Sequence, residues 1–176
     1  MVKRICVIGA GAAGLPSIKC CLQDGFDVVC YEKSDDIGGV WRFREESQPG
    51  ISGTQRTTVQ NTSKEMNSYS DFPVPKEFPC YLYHTQLMEY FRMYCDNFKL
   101  WDKIKFQHEV VEVKPNYDYD LTGKWIVSVI NCKISERSES VFDGVMVCIG
   151  HHFTPRMPTF KDQNVFKGIS FKFNIL

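Results

Sequence analysis

An α/β fold, a doubly wound parallel sheet carrying a small antiparallel β-meander, is predicted by three features of the sequence. The first is "ICVIGAGAAGLPSIKCCLQDGFDVVCYEK", which reads strand, glycine turn, helix, strand. The second is a pair of apolar runs, "VVCY" and "VMVCIG", that lack alternation and so suit strands covered on both faces. The third is the turn-rich "KPNYDYDLTG" between two strand-like runs, the mark of a meander.

Taken in order, residues 3–8 are an apolar strand. Residues 12–23 are a predicted helix, with Leu15, Ile18, Lys19 and Leu22 at helical spacing. Pro16 falls near its first turn, where a missing N–H costs little, and Gly25 marks the turn out. Residues 27–31 form the second strand, so a βαβ unit with a right-handed crossover is expected. From Arg42 to Glu77 the chain is polar and irregular, and a loop of that length usually carries function. "HTQLMEYFRMYCDNF" puts Leu87, Tyr90, Phe91, Tyr94 and Phe98 on one helical face, which is expected to be core. "IKFQHEVVEV" and "KWIVSVIN" are predicted strands of a meander at about 104–132, and "VFDGVMVCIG" is one buried strand ending at Gly150. One domain is expected over 1–150, with no complete element in 151–176. His84 and His108 are expected at the surface, and His151 and His152 in a polar crossover.

Composition narrows the function classes. The 176 residues carry 21 basic and 21 acidic side chains, so nothing points to nucleic acid or to an anionic membrane surface. No apolar run reaches the roughly 18 residues that a membrane-spanning helix needs. Eight cysteines invite a disulfide reading, but Cys6, Cys30 and Cys148 sit in apolar runs as small hydrophobes and no CxxC occurs. A reducing, cytosol-facing compartment is expected. No metal constellation and no Ser-His-Asp order present themselves.

The glycines Gly9, Gly11 and Gly14 make a GxGxxG between strand and helix. Gly9 permits a tight turn, Gly11 lets backbone approach a pyrophosphate, and Gly14 lets helix and strand pack closely. The pyrophosphate is expected on the helix N-terminus. Glu32, 18 residues after Gly14, is placed to accept hydrogen bonds from the ribose hydroxyls. A carboxylate there opposes a 2′-phosphate, although Lys33 beside it softens the repulsion. The site is predicted to take FAD or NAD.

Further motifs follow: Gly38-Gly39-x-Trp41, "NTSKEM" at 61–66, "SDFPVP" at 70–75, "YFRMYCDNF" at 90–98 and "FDGVMVCIGHH" at 142–152. In this order and spacing they resemble the flavin-containing monooxygenase family, from residue 1 to about residue 166. The resemblance implies a Rossmann-like FAD-binding fold. It implies that Gly9, Gly11, Ala12, Ala13 and Gly14 contact the pyrophosphate and that Glu32 holds the adenosine ribose. Gly39, Val40 and Trp41 would lie along the FAD, and Gln60, Asn61 and Thr62 would reach the isoalloxazine ring and the nicotinamide. Asn61 would be the catalytic residue, nearest the flavin–oxygen adduct; by itself it is an ordinary loop asparagine suited to an Asx-turn. The implied activity is NADPH-dependent monooxygenation, of N,N-dimethylaniline monooxygenase type, in which a flavin hydroperoxide passes one oxygen atom to a small-molecule amine or sulfide. Molecular oxygen is the co-substrate. The implied location is the cytosolic face of the endoplasmic reticulum membrane.

The sequence departs from the family near its end. Beyond Gly53 the only glycines are Gly123, Gly144, Gly150 and Gly168, which make no second GxGxxG for NADPH. The family pattern F-x-G-x-x-x-H-x-x-x-F/Y starts at Phe166 and Gly168, but Lys172 replaces the histidine and Leu176 the last aromatic. The expectation is a truncated chain with the FAD-binding part only, the main NADPH site and the C-terminal anchor missing, and a divergent tail in 151–176. A non-catalytic FAD-binding or regulatory module is the alternative. Another two-dinucleotide oxidoreductase, such as a disulfide reductase, is disfavoured by the lack of a CxxxxC pair after the first helix.

Overall fold

The computed structural model describes residues 2–46, 51, 53–151 and 158–168. His152, Lys172, Leu176 and the "KFNIL" tail lie outside them.

The chain begins as strand β1 (Arg4–Ile8), helix α1 (Gly14–Gln23) and strand β2 (Asp27–Glu32). Gly25, at φ +81°, turns the chain from α1 into β2. A mostly irregular stretch follows, with the single-turn helix α2 (Lys64–Asn67) and an isolated bridge between Val59 and Tyr83. Helix α3 (His84–Phe98) starts where Gln86 Oε1 accepts the Tyr83 N–H at 3.1 Å. It stops at Lys99, whose φ of +54° ends the ladder. Next come β3 (Ile104–Phe106), β4 (His108–Pro115), the short helix α4 (Tyr119–Thr122), β5 (Trp125–Asn131), β6 (Glu136–Phe142) and β7 (Gly144–Val147).

Two sheets result. The parallel sheet has the order β3-β2-β1-β7, and the antiparallel meander the order β4-β5-β6. β1 is central, with Cys6 opposite Val29 on one side and Val145 on the other. Its side chains alternate between two cores. Val7 and Cys30 face a core built with Leu15 and Ile18 of α1 and Leu87, Tyr90, Phe91 and Tyr94 of α3. Cys6 and Tyr31 face the other way, against Val127, Val129 and Phe142 of the meander. Helices therefore cover one face of the sheet and the meander covers the other. Each fully buried large side chain contributes about 1.5–3 kcal/mol, so Tyr90, Tyr94 and Phe142 anchor the layers.

Five sequence expectations need correction. "IKFQHEVVEV" is two strands in different sheets, because Gln107 adopts φ +57° and breaks the run. "VFDGVMVCIG" is also two strands. Asp143 Oδ2 accepts the Arg4 N–H at 2.7 Å and its own N–H donates to Arg4 O, pinning the point where the chain changes sheets. The meander therefore spans 108–142 rather than about 104–132, and includes the polar strand β6. The final strand is not buried: among the described residues β7 is an edge, with Met146 37% and Val147 66% exposed, and Ile149 just beyond it is 52% exposed. His84 is buried rather than at the surface, its ring beside Phe43 and its Nε2 at 3.2 Å from Arg56 O. The aromatic face of α3 is core, as expected.

Candidate functional site

The C-terminal ends of β1 and β2 open into a cleft of about 530 Å³. Its floor is the glycine turn. Gly9, at φ +96°, donates its N–H to Tyr31 O at 2.8 Å, and a Cβ there would lie 2.7 Å from Cys148 O. Gly14 packs so tightly that a Cβ would lie 1.9 Å from Gly9 O. These two glycines are demanded by the fold. Gly11 is different: a Cβ would meet nothing nearer than Gly39 Cα at 3.6 Å. The fold does not exclude a side chain there, and Gly11 lines the cleft. Gly39 faces it in return, its own Cβ position 3.4 Å from Gly11 Cα.

Helix α1 points its N-terminus at this turn without a side-chain cap or an acidic residue in its first turn. Its unsatisfied N–H groups and positive dipole end suit an anion. The Gly38–Gly39 turn is fastened to the same place by Gly38 N–H to Ala10 O at 3.0 Å. Gly38 sits at φ +102° against Met88 of α3, where a Cβ would be 2.2 Å from the sulfur. Val40 and Trp41, in a short 3₁₀ turn at Gly39–Trp41, continue the wall.

Glu32 ends β2 with 9% of its surface exposed. Oε2 accepts the Ala10 N–H at 2.7 Å, and Oε1 accepts the Ser34 N–H at 2.8 Å. The Ser34 hydroxyl can donate either to Oε1 or to Asp36 O, both at 2.7 Å. A carboxylate has about four acceptor positions. One on Oε2 is thus unused, a second is released on Oε1 when Ser34 turns to Asp36, and Glu32 lines the cleft. Two hydroxyl donors can be met in this way. Lys33 does not offset the negative charge, since its Nζ is held by Glu109 Oε1 at 2.8 Å.

The cleft gathers Gly9, Gly11, Ala12, Ala13, Glu32, Gly39, Val40 and Trp41. Gly14 lies behind it as the packing glycine. Gln60, Asn61 and Thr62 are not among the lining residues. Gln60 is buried, with Oε1 lacking a partner among the described residues, while Asn61 and Thr62 are exposed. Sequence reasoning missed Arg44 and His108, which line the cleft from the irregular loop and from the first residue of β4. Burial pushes the Arg44 guanidinium below its ordinary value, with Arg42 adding repulsion. His108 lies 6.1 Å from the Tyr31 ring, and its Nδ1 is 2.7 Å from Phe106 O. Arg44 sits in a polar loop with no periodic signal, and the face His108 takes depends on the break at Gln107. All eight cysteines are free thiols. Burial pushes Cys6 up to about 12 and raises Cys30 well above its usual value, so neither is a ready nucleophile. Among the described residues no group of three or more His, Cys, Asp or Glu is placed to hold a metal ion.

Comparison with known proteins follows the same direction. A family model described as flavin-binding monooxygenase-like matches residues 2–174. Dimethylaniline monooxygenase (N-oxide-forming) 2 of Oryctolagus cuniculus is 43% identical over 170 residues, which is 96% of this chain. Flavin-containing monooxygenase 5 of Mus musculus is 46% identical over 168 residues, 94% of this chain. The chain spans 31% of the length of each of these relatives. Among solved structures, S-allyl-L-cysteine S-oxygenase from Allium sativum superposes with a TM-score of 0.85 at 24% identity, over 96% of this chain and 41% of the other. The OTEMO complex with FAD and NADP gives 0.69 at 21% identity, over 96% and 30%. These two likenesses speak for the fold.

Proposed function

The chain belongs to the flavin-binding monooxygenase-like family, and from that premise we propose that its cleft is the FAD site of an NADPH-dependent monooxygenase acting on soft nitrogen and sulfur nucleophiles. One observation carries the reading: an uncapped helix N-terminus, the facing pair Gly11 and Gly39, and the Glu32 carboxylate converge on one cleft.

The residues present fit the cofactor. The turn 9–14 would hold the pyrophosphate through backbone N–H groups, with the positive end of α1 behind them. Glu32 would accept the adenosine ribose hydroxyls at the positions left open on Oε2 and Oε1. Its charge disfavours a 2′-phosphate here, so NADPH is assigned to a different site. Val40 and Trp41 would exclude water along the dinucleotide. The buried Gln60 carbonyl and the exposed Asn61 and Thr62 would serve the redox end, with Asn61 as the polar group for the oxygen chemistry. Bound FAD would supply the electron and oxygen transfer that protein side chains cannot. Molecular oxygen and a small amine or sulfide are the substrates in this reading.

On the same resemblance, the proposed location is the cytosolic face of the endoplasmic reticulum membrane. Among the described residues no helix is long and apolar enough to cross a membrane. Titration of the chain with FAD, followed by flavin fluorescence, tests the central claim. Saturable binding that ADP displaces is the expected result; no binding would defeat it.

A further inference from the structure

Pro16 deprives the glycine turn of a donor, and a distant loop supplies one. The i to i+4 pattern begins ahead of α1: the Leu15 N–H donates to Gly11 O at 3.1 Å and the Ser17 N–H to Ala13 O at 3.3 Å. Between them stands Ala12 O, which would take the N–H of residue 16, but proline has none. The Tyr69 hydroxyl donates to Ala12 O instead, at 2.6 Å.

Tyr69 is itself held firmly. Its ring centroid is 4.5 Å from that of Tyr94 and 5.6 Å from that of Tyr90, and its N–H donates to the Tyr90 hydroxyl at 2.9 Å. Two residues on, Asp71 pairs with Lys19, a buried side chain of α1 whose Nζ lies 5.2 Å from the Phe98 ring centroid. The segment 69–71 thus grips α1 both just before its first turn and at its middle.

We propose that Tyr69 is a positioning residue of the dinucleotide-binding turn, its hydroxyl replacing the donor that Pro16 lacks and holding the Ala12 carbonyl away from the bound diphosphate. Ala12 lines the cleft and Tyr69 does not, so this bond ties a lining residue to a group outside the lining. Turned inward, that oxygen would repel a diphosphate and disturb the N–H groups meant to receive it. The inference rests on the FAD reading above and names one of the residues that shapes that site.

A double-mutant cycle on the chain tests it, with Tyr69→Phe made both in the parent and in the Pro16→Ala variant. Two readouts are taken: amide hydrogen exchange of Leu15 and Ser17 without flavin, and affinity for FAD, ADP and adenosine. In the parent background, Tyr69→Phe is expected to speed exchange at both amides. It should weaken FAD and ADP about three- to tenfold and leave adenosine unchanged. With Pro16→Ala in place, residue 16 supplies the missing donor and both effects should shrink to under about twofold. Parent-like exchange in Tyr69→Phe, or equal losses in the two backgrounds, would overturn the proposal. Coupled exchange in a parent that binds no FAD would defeat the FAD reading while leaving the role of Tyr69 in ordering the turn intact.

Discussion

The three fingerprint glycines should separate sharply when each is replaced by alanine. At Gly14 the new Cβ would lie 1.9 Å from Gly9 O, and at Gly9 it would lie 2.7 Å from Cys148 O on a backbone at φ +96°. Both are backbone contacts, so neither is relieved by a rotamer change. Left-handed strain and overpacking each cost about 1–3 kcal/mol, a large part of a total stability of about 5–15 kcal/mol. At Gly11 the nearest atom is 3.6 Å away, an ordinary contact. Gly11→Ala should therefore leave the unfolding free energy within about 0.5 kcal/mol of the parent. Its methyl group enters the cleft where the pyrophosphate is proposed to lie. Losing a single charge-assisted hydrogen bond there costs about 1.5–3 kcal/mol, or about 10- to 150-fold in Kd. Urea unfolding and flavin fluorescence titration measure the two quantities on the same samples. Gly11→Ala binding FAD like the parent, or unfolding as early as Gly14→Ala, would refute the division of roles.

Glu32→Ala should lower both stability and flavin affinity, because the Ala10 and Ser34 N–H groups lose their acceptor, at about 1–3 kcal/mol per orphaned donor; urea melts with and without FAD show both losses. Lys64→Met should loosen the loop that carries Asn61, since Lys64 Nζ donates to the carbonyls of Pro75, Lys76 and Phe78; limited proteolysis should cut faster within 61–80. The Lys19 pair holds the Asp71 carboxyl below its ordinary 3.8, so its contribution is complete above that value and fades as pH falls through the lower folded value. Thermal melts from pH 5 down to pH 2 should show a shallower decline for Asp71→Asn than for the parent. Finally, the chain should self-associate through the exposed apolar edge at β7 and Val147→Lys should reduce this, read as loss of concentration-dependent elution in size-exclusion chromatography; a parent whose elution does not change with concentration would refute it.

The sequence by itself determined the parts of this protein whose geometry is local. The order strand, glycine turn, helix, strand is written in apolar spacing and in three glycines, and it sets α1 against the ends of β1 and β2 whatever follows. That placement brings Glu32 to the turn, so most of the cleft was legible, along with the aromatic core face of α3. The tertiary structure decided what depends on pairing between distant segments. Two apolar runs that read as single strands are each divided between two sheets, at Gln107 and at Asp143. Strand propensity says that a residue is extended, but it does not say which neighbour will satisfy its N–H and C=O groups. The polar strand β6 forms because β5 offers it a partner, and β7 stays exposed because no further strand lies beside it among the described residues. Polar side chains in irregular loops carry no periodicity, so the approach of Arg44 to the cleft and the burial of His84 were not legible. The bond from Tyr69 to Ala12 belongs to the same class: Pro16 announces a missing donor, but only the folded chain shows that a hydroxyl 57 positions away supplies it.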